Sequence, residues 1–237
     1  APHLSAEAAL GEKMFHDPSL SASGRQSCAS CHDARFAHGA PNALAAQLGG
    51  PDLARQGSRL APSIRYLSSN TAFHFDAEDT PTGGFFWDGR AASLSAQAKG
   101  PLLSPVEMAN KSPAEVVARL AQAPYAGEFE RVYGVGILQQ PELAFERIAQ
   151  ALEKYQLEDP DFAPFSSKYD ATLRKQTTLS AQEERGLALF KDAAKGNCAA
   201  CHPADLGADG SHPLFTDFTY DNLGVPRNPE LAHNRDP

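Results

Sequence analysis

The chain has 237 residues, room for one large domain or two small ones, and its net charge of −8 argues against nucleic acid as a partner. Apolar residues make up 42% and charged residues 21%, the balance of a folded globular protein rather than a disordered one. No run of about 18 apolar residues occurs, which predicts no membrane span. The opening APHLSAEAAL has neither an initiator Met nor a basic, apolar leader, so it reads as a mature chain whose export signal has been removed.

In chain order, the first predicted element is a helix entered at Leu4-Ser5-Ala6-Glu7. It leads to Cys28-Ala29-Ser30-Cys31-His32, a C-x-x-C-H pentapeptide. Two thiols so spaced can form thioethers to the two vinyl groups of one porphyrin, and the adjacent His is then carried under the iron as its proximal ligand. Residues 84–108, GFFWDGRAASLSAQAKGPLLSPVEM, hold the only tryptophan, Trp87, with Gln97 and Glu107 ten and twenty positions beyond it. Taken alone, Trp87 reads as a core aromatic beside Phe85 and Phe86, Gln97 as a polar position on a short surface helix, and Glu107 as a solvated acid. Ser112-Pro113-Ala114-Glu115 is a capping box with Pro at the first helical position, opening a helix through Val116, Val117 and Leu120. From Glu142 to Tyr155, Leu143, Ile148, Leu152 and Tyr155 fall close to one helical face. The turn-rich stretch from Asp159 to Thr178 predicts a boundary between two domains, residues 1–165 and 166–237.

Beyond that boundary the chain repeats itself. Leu179-Ser180-Ala181-Gln182 matches Leu4-Ser5-Ala6-Glu7, and Gly11, Phe15 and Asp17 recur as Gly186, Phe190 and Asp192 at an offset of 175. Ser180 with Glu183 forms another capping box. The other two of the four cysteines lie in Cys198-Ala199-Ala200-Cys201-His202, at an offset of 170. The repeat predicts two homologous modules, each opening with a helix whose apolar face packs on the haem that follows it. A four-Cys zinc site would leave a His after both pairs unexplained, and a thioredoxin-like pair would need a βαβ pattern that the chain lacks. With no sustained alternation and few β-branched residues, the predicted fold is mostly α: two cytochrome c-like haem domains related by internal duplication, with long Gly- and Pro-rich loops. Covalent haem attachment in turn predicts export to the periplasm or an equivalent compartment.

The stretches FHDPSLSASGRQSCASCH, APSIRYL, FWDGRAASLSAQAKGPLLSPVEM, GLALFKDAAKGNCAACH and FTDFTYDNLGVPRNP resemble the bacterial dihaem cytochrome c peroxidases, a superfamily that includes the MauG-type enzymes. The resemblance implies a peroxide-reacting N-terminal haem with His32 proximal and an electron-transferring C-terminal haem with His202 proximal. It implies that Trp87 lies between the haems, and that Gln97 and Glu107 are the distal pair above the reactive iron. A carboxylate there can carry a proton from the inner to the outer peroxide oxygen, its pKa raised by the apolar pocket, while an amide orients peroxide without titrating.

The same resemblance raises ligand questions. Relatives often carry a His after the first motif that ligates the reactive iron at rest, and His38 and His74 are the candidates. The second haem usually takes a Met or Tyr from a later segment; here Met14 and Met108 both precede the motif, leaving Tyr220, His212 and His233. Relatives of this type usually continue for about another domain's worth of helices, which predicts that the chain extends beyond Pro237. An interdomain calcium belongs to the family pattern, but Leu60 stands where an Asn often supplies an oxygen. The implied activity is reduction of hydrogen peroxide to water with electrons from a small cytochrome c or cupredoxin, in a protein that is commonly a homodimer. The alternatives are a MauG-type enzyme using peroxide-derived high-valent iron to oxidise a protein substrate, and a dihaem electron carrier. A carrier would have no use for Gln97 and Glu107.

Overall fold

The computed structural model describes residues 3–232. Contacts divide the chain into two compact units, one made of Ala1–Ala72, Gly84–Phe162 and Gly224–Pro237, the other of Phe73–Gly83 and Ala163–Leu223. The first unit holds, in chain order, α1 (Ala6–His16), α2 (Cys28–Cys31), β1 (Leu48–Gly49), β2 (Arg55–Gln56), α3 (Leu94–Leu103), α4 (Pro113–Leu120), α5 (Ala126–Tyr133) and α6 (Pro141–Glu158). The second holds β3 (His74–Phe75), β4 (Pro81–Thr82), α7 (Lys168–Leu173) and α8 (Ala181–Lys191). The fold is mostly helical, and no helix among the described residues is long and apolar enough to cross a membrane.

α1 starts where Ser5 Oγ accepts the Ala8 N–H at 3.2 Å. The reciprocal acid comes from the far end of α6: Glu158 accepts from the Ser5 backbone N–H at 2.8 Å and from its hydroxyl at 2.9 Å. Between those ends α1 and α6 pack through Leu10, Met14 and Phe15 against Ile148, Leu152 and Tyr155, all buried in one core. Gly11 sets how closely they approach, since a Cβ there would lie 2.0 Å from the Ala151 carbonyl oxygen. Backbone cannot rotate away, so Gly11→Ala forces the helices apart. The expected loss is about 1–3 kcal/mol or more, read as a melting temperature lowered by about 2–4 °C per kcal/mol. An unchanged melting temperature would refute the close packing.

Two sequence expectations need correction here. Leu143 is 41% exposed and does not share the buried face of Ile148, Leu152 and Tyr155, because five residues place it about 140° round the helix from Ile148. Ala144 and Phe145 fill that face instead. At α4, Ser112 caps Glu115 N–H at 3.3 Å, but the Glu115 carboxylate turns to the Lys111 N–H and to Arg119, so only half of the box forms. The full box does form at α8, between Ser180 and Glu183. α8 matches α1 in length, in its Ser N-cap and in its Asp C-cap. The strands are two antiparallel pairs of two residues each, too short for alternation to register in the sequence.

Candidate haem site

α2 is a single turn that sets Cys28 and Cys31 side by side, and His32 follows as its C-cap, donating its N–H to the Cys28 carbonyl at 2.9 Å. The His32 ring is oriented by two backbone carbonyls, with Nδ1 at 3.0 Å from His38 O and 3.1 Å from Pro62 O. Both partners can only accept, so Nδ1 carries the hydrogen and Nε2 keeps the lone pair that a metal needs. Burial holds the His32 pKa below its ordinary value, against the two carbonyl bonds, which keeps the ring neutral and able to coordinate. Burial, and next the neighbouring Cys31, push the Cys28 thiol up to about 12, so as a free thiol it stays protonated at neutral pH.

Cys28, Cys31 and His32 open onto a cavity with about 610 Å³ of empty space, partly open to solvent. Phe15, Ile64, Ala98, Pro101, Leu102, Met108 and Leu152 give it an apolar wall, and Gln97 and Glu107 line it as well. Gln26 and Gln156 also face it, and each keeps one buried side-chain oxygen without a partner in the protein. A paired set of sulfurs, an imidazole Nε2 with its lone pair free and an apolar wall are what a covalently held haem requires. The residues fit the group.

Gln97 is delivered by α3, where the interior Pro101 has no N–H to give to the Gln97 carbonyl. Glu107 follows in the turn after α3, its N–H bonded to Ser104 O at 3.0 Å and its carbonyl accepting Gly50 N–H at 2.7 Å. Burial in the wall raises its carboxyl pKa above the ordinary value, against a Ser104 hydrogen bond and the Arg90 charge. The turn is clamped by the short β1–β2 hairpin. A Cβ on Gly49 would meet Val106 O at 2.3 Å and Glu107 Cα at 2.8 Å, and Gln26 Nε2 donates to Leu48 O at 3.3 Å. One loop therefore touches both Gln26, whose Nε2 also lies 3.5 Å from Cys31 Sγ, and the backbone of Glu107.

Neither histidine proposed as a distal ligand lines the cavity. His38 is 2% exposed, with Nε2 at 2.8 Å from Asp161 Oδ2, and it meets His32 through its backbone carbonyl. His74 lies on β3, in the other unit. Trp87 is 55% exposed, so its place is not a core one, and its indole N–H donates to Leu60 O at 2.8 Å.

In the second unit, His202 Nδ1 lies 2.7 Å from Phe215 O, which again leaves the lone pair on Nε2. Phe215 packs edge-on to Tyr169 and Phe190, and Cys201 is exposed. Tyr220 donates its hydroxyl to Gly83 O at 2.8 Å, and His212 Nδ1 lies 2.7 Å from Asp170 Oδ1. His233 lies outside the described residues.

Two C-x-x-C-H pentapeptides stand on a helical scaffold, and one opens onto a pocket lined by a carboxylate and an amide. The chain belongs to the di-haem cytochrome c peroxidase family, whose profile matches residues 5–178. It is similar to the methylamine utilization protein MauG of Paracoccus denitrificans (42% identity, over 96% of this chain and 59% of that protein). It is also similar to the cytochrome c peroxidase Ccp of Escherichia coli (35% identity, over 87% of this chain and 39% of that one). The crystal structure of the diheme peroxidase BthA from Burkholderia thailandensis superposes with a TM-score of 0.88 at 39% identity, over all of this chain and 59% of that one. The chain thus spans about 59% of the length of two of these three relatives.

Several contributors escaped the sequence reading. Gln26 and Gln156 are ordinary polar residues until their burial is seen. Pro62 and His38 act through backbone oxygens, which side-chain identity does not advertise. The Gly49-Gly50-Pro51 run was a visible turn signal, but nothing local connects it with Glu107.

Proposed function

We propose that the chain carries the peroxide-handling centre of an exported, periplasmic dihaem peroxidase, which reduces hydrogen peroxide to water with electrons from a small cytochrome c or cupredoxin. The observation that carries this reading is the convergence of His32, Gln97 and Glu107 on one cavity. Cys28 and Cys31 in one motif, and Cys198 and Cys201 in the other, would hold two haems through thioethers to their vinyl groups, with His32 and His202 as the protein's ligands to iron. The bound haem supplies the iron at which the O–O bond is cleaved. Glu107 takes a proton from the inner peroxide oxygen and returns it to the outer one, so that water leaves; two electrons and two protons convert each peroxide into two waters. Gln97 cannot titrate and holds the peroxide by hydrogen bonding. Trp87, whose indole oxidises more readily than an aliphatic side chain, relays electrons. The two modules are products of duplication, a reading supported by the matched caps of α1 and α8.

A MauG-type reading, in which the oxidising equivalents pass to a protein substrate, is favoured by the engagement of His38 with Asp161, which removes one candidate for a resting-state sixth ligand. Spectroscopy of the diferric protein separates the two. A six-coordinate reactive haem that opens on half-reduction supports the peroxidase, and a five-coordinate one supports the MauG type. If peroxide changes the spectrum in no redox state, both readings fail.

The clamp on Glu107 gives a further prediction. Gly49→Ala displaces the Glu107 backbone by the misfit that its Cβ creates. The reaction with peroxide should slow by about 10²-fold, with the haem content unchanged. A stopped-flow rate equal to the parent's would show that the carboxylate is positioned otherwise.

A further inference from the structure

The two carbonyls that hold His32 belong to two separate loop segments, and one carboxylate ties both down. His38 presents its carbonyl from a backbone in which Ala37 and His38 are both left-handed, at φ 56° and 52°. Non-glycine residues avoid that region unless their surroundings compel it. The compulsion is visible in the His38 side chain. Its ring stacks on Phe162 with centroids 4.1 Å apart, meets the edge of Phe15, and has Nε2 at 2.8 Å from Asp161 Oδ2. The other Asp161 oxygen accepts from Arg65 Nη2 at 2.5 Å, and Arg65 lies three residues past Pro62, the source of the second carbonyl. The segments are also stitched to each other, since Ile64 N–H donates to His38 O at 3.2 Å and Ser63 Oγ donates to Ala37 O at 2.6 Å.

We propose that Asp161 is a positioning residue for the axial histidine: by anchoring His38 and Arg65 together it fixes both acceptors of the His32 Nδ1 hydrogen, and so sets how strongly His32 donates to iron. The inference rests on the reading of His32 as an axial haem ligand. Strong Nδ1–H···O bonds make an imidazole more basic and favour the oxidised metal. Loosening them has the opposite sign. Asp161 does not line the cavity and makes no hydrogen bond to His32, so its contact with the ligand runs through the loops that present the two carbonyls.

The test uses the haem-loaded full chain and two variants, Asp161→Ala and the isosteric Asp161→Asn. In Asp161→Ala, the iron–histidine stretching band of the ferrous haem held by Cys28 and Cys31 should move to lower frequency. At a fixed solution potential, the reduced-to-oxidised ratio of that haem should rise about 10-fold. Asp161→Asn should shift both readouts in the same direction by less, and it decides the question if the alanine variant does not fold. Parent-like values of both readouts in a folded variant, with only the melting temperature lowered, would reduce Asp161 to a structural role and overturn the inference. His32→Gly is the control: if the axial-histidine band survives it, the ligand reading itself fails, an outcome distinct from silence at Asp161.

Discussion

Replacing Glu107 with Gln slows the reaction with hydrogen peroxide by about 10²–10⁴-fold while both haems stay attached. The size follows from what is removed. Gln97 already supplies an amide to the same cavity, so a second amide adds a hydrogen bond but no site that can accept and return a proton. The same variant has a stability signature. Burial raises the folded carboxyl above its ordinary value, so its contribution to stability is fully present below the unfolded pKa near 4.5 and is lost as pH rises through the raised folded value. Glutamine has no such titration. The stability difference should therefore move in favour of Glu107→Gln as pH rises from about 4.5, with no further change below it. Near-normal turnover would remove Glu107 from proton transfer, and a pH-independent stability difference would remove the desolvated carboxyl.

The second large effect concerns attachment. A Cys28→Ala, Cys31→Ala double variant should yield a denatured chain with one covalent haem, and so should Cys198→Ala with Cys201→Ala, against an expected two in the parent. Intact mass under denaturing conditions reads this directly, because thioethers survive unfolding and coordination bonds do not. Two retained haems in either double variant would sink the motif assignment. The protonated state of the Cys28 thiol fits this chemistry, since a thiol kept from ionising is slow to exchange into a disulfide with Cys31.

How far the sequence could be read depended on whether each contact was local. Ser5, Ser112 and Ser180 each cap a helix within a few residues of themselves, and the capped helices are found where such signals place them. The C-x-x-C-H pentapeptides are equally local. Gln97 and Glu107 were identified through a family resemblance, and the fold does bring them into one cavity with His32. His38 shows the limit. As a titratable residue six positions after His32 it invited a ligand role, yet its ring is spent on Asp161, 123 positions away, and its contribution to His32 is a carbonyl. Leu143 fails for a different reason, since it lies about 140° round the helix from Ile148 and is exposed there. The pairing of Ser5 with Glu158 across 153 positions, in place of a local capping acid, has no trace in either segment.

The hydrogen bond from Gly50 N–H to the Glu107 carbonyl has a use in measuring motion. An amide so engaged exchanges its hydrogen with solvent deuterium only when the bond opens. Gly50 is therefore a natural clock for excursions of the Glu107 turn. Its exchange rate, followed with and without peroxide, records how often the backbone beneath the Glu107 carboxylate leaves its resting position.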